Sequence, residues 1–248
     1  MVDPTAGGQL PPIPTRRQLE RAGIRIAVGI PLGYSVSDAA FNYLWGVAQR
    51  GWPLIADRHY GRVDVHRNEF AKALLASDYT HLAMLDTDQL HQPDVIEHLA
   101  RWILLDKQQC QIVSGLHFRR GAPFDPLCFE YDKEADTFRA PVEWPIGLIE
   151  ADVIGHGSVI IAREVFETLP EPWWAYSYQK TAEGKYPSED VYFCAKARNA
   201  GFRIFVDTTQ TSDHLTTAQI NEESFRRWLA DHPEAMPEIE SEQESSAA

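Results

Sequence analysis

From Ile24 onward the chain alternates short apolar runs with longer stretches whose apolar positions recur every three or four residues. The run IRIAVGIPL (24–32) reads as a buried strand, SDAAFNYLWGVAQRG (37–51) as a helix stopped by Gly51, and WPLIAD (52–57) as a second strand. HRNEFAKALLAS (66–77) then places Phe70, Ala71, Leu74 and Leu75 on one helical face. THLAMLD (80–86) is a strand, QPDVIEHLARWILLD (92–106) a helix with Pro93 in its first turn, and QIVSGLHF (111–118) a further strand. Such alternation predicts an α/β fold with a mostly parallel sheet covered by helices on both faces.

The second half reads differently. LCFEYDKEADTFRAPVEW (127–144) has the pattern of an antiparallel hairpin around a polar turn, and LIEADVIGHGSVIIA (148–162) that of a glycine-bearing strand. REVFETL (163–169) is a short helix. The aromatic and polar stretch PEPWWAYSYQKTAEGKYP (170–187) has the length of a lid or binding loop. SEDVYFCAKARNAG (188–201) is a helix with Ser188 as N-cap and Gly201 as its stop, and RIFVDTT (203–209) is a final strand. Pro and Gly in residues 1–22 mark a flexible lead-in, so the expected organisation is a lead-in (1–22), one domain (23–230) and an acidic disordered tail (231–248).

Composition narrows the function classes. The 248 residues are 44% apolar, enough for one large α/β domain. Twenty-three basic against 36 acidic residues give a net charge of −13, which disfavours binding nucleic acid or anionic membranes by bulk attraction. Six of those acids lie in the tail, leaving −7 for residues 1–230. Cys110, Cys128 and Cys194 form no C-x-x-C pair, which indicates a reducing compartment and no cysteine zinc site. His81, His91 and His98 lack helical zinc spacing among themselves. With neither a signal-peptide pattern nor a membrane-length apolar run, the expected location is the cytoplasm.

The sharpest local feature is the strand LAMLD ending in Asp86-Thr87-Asp88. In an open α/β sheet ligands sit beyond the carboxyl ends of strands, where two carboxylates can hold Mg²⁺ or Mn²⁺ with phosphate oxygens completing the shell. A turn built on aspartates is the competing account, since a chain of this length holds about one D-x-D by chance. Glu189-Asp190 opens a helix, where carboxylates also serve as dipole partners and caps. Asp213-His214 follows the last strand, and a neutral imidazole is an acceptable Mn²⁺ ligand. Gly155-His156-Gly157 gives a close approach to the backbone or a bulge, and Trp173, Trp174, Tyr176 and Tyr178 offer flat faces to a sugar or base, or ordinary core. One of the two tryptophans is expected in the cleft. His117, Arg119 and Arg120 reach the same sheet edge, as an anion site or a solvated basic turn.

These motifs together resemble glycosyltransferases of the GT-A fold, in particular the large inverting family two and its small soluble, phage-type members. The resemblance runs through residues 24–216 and rests on IAVGIP, HRNEFAKAL, HLAMLDTDQLHQPDVIEHL, ADVIGHGSVIIAREVFETLPEPWW, SEDVYFCAKARNAGFRIFVD and SDHL, in that order. It implies an α/β domain of GT-A type with a mostly parallel central sheet and a small antiparallel acceptor-side sheet. Pro31, Gly33, Tyr34 and Asp57 would border base and ribose, and Arg67 the base or diphosphate. Asp86 and Thr87 would lie on the donor, Asp86 touching ribose or metal-bound water. Asp88 and His214, with Asp86 as a further ligand, would bind Mn²⁺ or Mg²⁺. Asp190, with Glu189 as the second choice, would be the general base. Gly155, His156 and Gly157 with Trp173 or Trp174 would face donor sugar or acceptor. The implied activity moves a sugar from a nucleoside diphosphate, UDP first, to an acceptor hydroxyl with inversion. The acceptor stays open between a soluble glycan, a protein and a hydroxymethylated pyrimidine in DNA.

A sugar-phosphate nucleotidyltransferase would want a basic glycine-rich loop after the first strand, which VGIPLGYSVSD lacks. A dinucleotide oxidoreductase would want G-x-G-x-x-G there. A non-catalytic nucleotide-sugar or glycan-binding module is opposed by the joint presence of D-x-D, E-D and the terminal His.

Overall fold

The computed structural model describes residues 10–32, 38–55, 61–121, 124–134, 137–177, 187–216 and 231. The chain divides into two compact units, residues 1–215 and 216–248, and every element named below lies in the first. In chain order these are α1 (Arg16–Arg21), β1 (Ile26–Gly29), α2 (Asp38–Gln49), β2 (Leu54–Ile55), α3 (Val63–Leu75), β3 (His81–Leu85), β4 (Gln89–Leu90), α4 (Val95–Leu105) and β5 (Ile112–His117). There follow β6 (Cys128–Asp132), β7 (Thr137–Arg139), β8 (Leu148–Ala151), β9 (Val153–Ile154), β10 (Ser158–Ala162), α5 (Arg163–Thr168), α6 (Glu189–Asn199) and β11 (Ile204–His214).

The main sheet has eight strands in the order β2-β1-β3-β10-β5-β11-β4, with β8 also paired to β11. Strands β2, β1, β3, β5 and β11 share one direction, while β10 runs against both its neighbours. Strands β4 and β8 run antiparallel to β11. The mostly parallel α/β arrangement expected from the apolar pattern is therefore present, and the hairpin expected over 127–144 supplies β6 and β7 of a second, antiparallel sheet, β7-β6-β9.

Strand alternation explains why both faces are covered. Leu82 and Met84 of β3, Val159 and Ile161 of β10, and Ile204 and Val206 of β11 join one apolar core, under α3, α5 and α6. Their neighbours Ala83, Leu85, Ile160 and Phe205 join the other, under α1, α2 and α4. A strand's period of two sends successive side chains to opposite faces, so continuous apolar runs require helices on each. Glycines close two of these helices in left-handed backbone, Gly51 at φ 73° after α2 and Gly201 at φ 90° after α6.

Three expectations need correction. The lead-in is not featureless over residues 16–22. Thr15 and Gln18 form a reciprocal capping box at the start of α1, and Leu19 is fully buried against the core. The stretch 148–162 is not one strand but β8, β9 and β10, which serve two different sheets. The last strand does not end at residue 209. A register shift between Asp207 and Thr211 lets β11 stay paired with β5 through Ser212 and continue to His214. Asp207 holds that shift, accepting bonds from Thr209 N (2.9 Å), Trp102 Nε1 (2.8 Å) and Arg101 Nη2 (2.9 Å). Among the described residues no helix is long and apolar enough to cross a membrane.

Candidate active site

The carboxyl ends of β1, β3 and β5 open on one cleft of about 460 Å³. Topology brings its walls together. Strand β3 stops at Leu85, and β4 pairs with the end of β11 so that His214 lies opposite Gln89 and Leu215 N donates to Asp88 O (2.7 Å). Strand β10 enters beside β3, with Asp86 N donating to Gly157 O at 2.8 Å. The start of α6 brings Glu189 and Asp190, and α3 brings His66 and Arg67. Sequence separations of more than a hundred residues thus collapse onto one sheet edge, where ligands of such folds sit.

Arg67 is the hub. It is only 2% exposed, and its guanidinium donates to Glu189 Oε1 (2.8 Å), Asp86 Oδ2 (3.1 Å) and Asp190 Oδ1. Three carboxylates around one buried cation raise its already high pKa against the opposing effect of burial. Arg67, which lines the cleft, is therefore the shared counter-ion of three carboxylates. The adjacent Asn68 is also structural. Its amide oxygen accepts from Trp173 N (2.9 Å) and Trp174 N (3.3 Å), and its amide nitrogen donates to Trp174 O (2.7 Å).

The carboxylates differ in charge state. Burial pushes Asp86 up to about 6, with Asp190 and Asp88 adding to the shift and Arg67 opposing it. Burial also works to raise Asp190, but Arg67 and His156 prevail and hold its carboxyl well below the usual range. Asp190 Oδ1 takes the bonds from Arg67 and from His156 Nδ1, while among the described residues Oδ2 receives only His156 N at 3.4 Å. Asp190 is thus ionised, with one oxygen anchored and the other still able to accept a proton. The bonds of Glu189 and Asp190 run to Arg67 and His156, so they are not merely capping groups, and Ser188 occupies the N-cap without a side-chain cap bond.

Asp88 stands apart, its side chain 39% exposed. Its Oδ2 lies 2.6 Å from Arg120 Nη2 and 3.6 Å from His214 Nε2. Burial acts to raise the Asp88 pKa, yet His214 and Arg120 hold it low, and in return the Asp88 contact raises that of His214. His214 Nδ1 donates to Phe118 O (2.8 Å), which fixes the ring with Nε2 towards Asp88. Metal-binding imidazoles are commonly oriented by donating the ring nitrogen that does not bind the metal to a backbone carbonyl, as His214 Nδ1 does here. Behind this edge Tyr43 donates to Asp86 O (2.6 Å), and buried His91 bridges Ser212 Oγ and Asp86 O.

Other expected site residues separate into three groups. Pro31, Thr87, Gly155, His156 and Gly157 line the cleft. Gly33, Tyr34, Asp57 and Tyr178 lie outside the described residues. Trp173 and Trp174 do not face the cleft. They are 4% and 1% exposed in the core, Trp173 donating to the Phe166 and Leu169 carbonyls and Trp174 stacked on Phe193 at 4.7 Å. Trp174 instead meets the edge of the His156 ring, which is itself buried. From that aromatic stretch Tyr176 reaches the cleft, with Arg62 over its ring at 4.8 Å. Gly157 is small for an internal reason, since a Cβ there would lie 2.1–2.4 Å from the buried Gln89 amide. Sequence reasoning missed His66 and Gln89, whose one signal was adjacency to Arg67 and Asp88.

A divalent cation fits this lining. Four carboxylates (Asp86, Asp88, Glu189, Asp190) face two guanidiniums (Arg67, Arg120), an excess of two negative charges before any anionic ligand arrives. Among the described residues no group of three or more His, Cys, Asp or Glu side chains is placed to hold a metal ion. The protein share would be Asp88 and His214, with phosphate and water oxygens of the ligand and solvent completing the shell.

No protein-family model matches the sequence, and no curated protein matches it. Solved structures do match. A197 from STIV aligns with a TM-score of 0.56 at 21% identity, covering 78% of this chain and 87% of that one. GalNAc-T7, solved with UDP, GalNAc and Mn²⁺, aligns with a TM-score of 0.50 at 12% identity, over 85% of this chain and 42% of that one. The chain thus spans less than half the length of that transferase, and what the two share is the fold. The architecture is of GT-A type, an α/β domain with a large mostly parallel sheet and a small antiparallel one.

Proposed function

We propose that this chain is a cation-dependent glycosyltransferase that binds a nucleoside-diphosphate sugar, UDP-linked in the first instance, and passes the sugar to an acceptor hydroxyl with inversion. The observation that carries the reading is the pairing of Asp88 Oδ2 with an oriented His214 Nε2 in the cleft that also holds ionised Asp190. Bound Mn²⁺ or Mg²⁺ would neutralise the charge that develops on the departing diphosphate.

The protein's own groups supply the rest. Asp88 and His214 would hold the cation, and the bonds from Leu215 N to Asp88 O and from His214 Nδ1 to Phe118 O keep the ends of β3 and β11 together at that point. Asp190 takes the acceptor proton at Oδ2, while Arg67 and His156 fix Oδ1. A single base fits an in-line displacement with inversion. Its low pKa makes it a weak base, adequate because the proton leaves a hydroxyl already bonding to the sugar. Asp86 does not bind the cation directly in this account. It is occupied by Arg67 and lies behind Asp88 as a charge reserve.

A thermal-shift panel of UDP, GDP and CDP with Mn²⁺, Mg²⁺ or EDTA tests the reading. A ligand at a hundred times its Kd stabilises the native state by about 2.7 kcal/mol, several degrees for a domain of this size. UDP with Mn²⁺ is expected to raise Tm by that amount and EDTA to cancel the rise. No shift with any nucleoside diphosphate in either metal overturns the proposal.

A further inference from the structure

We infer that Arg120 is a diphosphate-binding residue that, without a donor, occupies the cation's place at Asp88 and trades that carboxylate for phosphate when donor and cation enter together. The inference rests on the donor-site reading above and adds a residue to it.

Arg119 and Arg120 leave β5 side by side, yet only one is committed to the fold. Arg119 N donates to Asp125 O (3.0 Å) and its guanidinium grips the Asp125 carboxylate through two bonds (2.6 and 3.1 Å). Phe124 N donates to Gly121 O (2.9 Å), and Phe118 bridges Pro126, so the base of the turn is pinned. Arg120 projects from this support into the cleft, where its Nη2 bonds Asp88 Oδ2 at 2.6 Å. That oxygen is the one His214 Nε2 faces. The Arg120 guanidinium and the His214 imidazole therefore converge on the oxygen assigned to the metal.

The Arg120–Asp88 pair is built to be exchanged. Its side chains are 52% and 39% exposed, and pairs so open to water contribute little to stability. Arg67, the other guanidinium of the lining, is held by three carboxylates and buried. Once a cation neutralises Asp88, Arg120 loses its partner beside the incoming anion, and a guanidinium fork suits phosphate oxygens. In the absence of donor the Arg120–Asp88 pair also offsets charge that would otherwise attract a bare cation.

Two measurements on Arg120→Ala separate this role from a surface contact. Titration of free Mn²⁺, followed by its electron paramagnetic resonance signal without nucleotide, is expected to show binding up to about fivefold tighter than wild type, the worth of one exposed competing pair. Calorimetric titration of UDP at saturating Mn²⁺ is expected to show binding weakened about tenfold or more, the loss of one charge-assisted bond. Arg120→Lys keeps part of the UDP affinity, and Tm without ligand stays at the wild-type value in both variants. Unchanged UDP affinity in Arg120→Ala, or weaker binding of Mn²⁺ alone, overturns the inference while leaving the donor site in place. Absence of Mn²⁺-dependent UDP binding in the wild type removes the donor-site reading itself.

Discussion

Replacing Arg67 by Met removes the cation shared by Asp86, Glu189 and Asp190 while keeping an unbranched side chain in its place. Arg67 is 2% exposed, so its attraction to the three carboxylates is little screened by solvent. Breaking a buried ion pair from one side costs about 3–5 kcal/mol, against a total stability of about 5–15 kcal/mol for a typical domain. The loss must also depend on pH. In the wild type Asp86 already titrates near 6, with Arg67 opposing a still larger rise. Without Arg67 the native variant retains a proton there well above pH 6. One extra proton held across the two pH units from 8 to 6 offsets at most about 2.7 kcal/mol of the damage. Urea unfolding followed by tryptophan fluorescence at pH 8 and pH 6 is expected to show Arg67→Met destabilised at both, and less so at pH 6 by up to that amount. A loss under about 1 kcal/mol, or one of equal size at both pH values, refutes the hub assignment.

Three further outcomes are expected. Leu19→Ala should cost about 2–5 kcal/mol in urea unfolding, because α1 belongs to the core, whereas a flexible lead-in would show no change. Gly157→Ala should lose about 1–3 kcal/mol as its Cβ meets buried Gln89, while Gly121→Ala, which has open space, stays neutral in the same assay. Acid should unfold the protein steeply. Burial lowers His81 and His91 to about 4 and His117 to about 3, so below pH 6.5 the unfolded chain takes up protons the native state refuses, and stability falls with pH. Asp86, raised to about 6, works the other way, leaving about two net protons, or about 2.7 kcal/mol per pH unit, between pH 6 and 4.5. Urea midpoints that stay flat or rise over that range contradict the buried neutral histidines.

Much of this was legible in the chain itself. The apolar runs of β1, β3 and β5 needed both faces covered, and an aspartate pair ending β3 had to lie at the edge where the cleft opens. Glu189, Asp190 and His214 reached the same cleft, as their motifs implied. Partnership was harder to see than location. Arg67 and Glu189 are 122 positions apart, and nothing local distinguishes a guanidinium that binds a ligand from one that neutralises buried carboxylates. The tryptophans were misplaced because residues 170–187 carry no periodicity, while Asn68, from the neighbouring helix, is what draws their backbone inward. The polar sequence TTQTSDH concealed the end of β11, since its pairing rests on the Asp207 bulge rather than on apolar alternation. His156 lacked a visible reason for its position until Asp190 appeared beside its ring.

Calorimetric titration of UDP into the wild type and Asp88→Ala, each with and without Mn²⁺, tests the central claim most directly. Asp88 is partly exposed and its bonds are to Arg120 and His214, so the variant keeps its fold and the comparison reads the site alone. Tight UDP binding is expected in the wild type only with Mn²⁺, and that binding is expected to be lost in Asp88→Ala. Equal UDP affinity with and without the metal, or Mn²⁺-dependent binding that survives in Asp88→Ala, contradicts the claim.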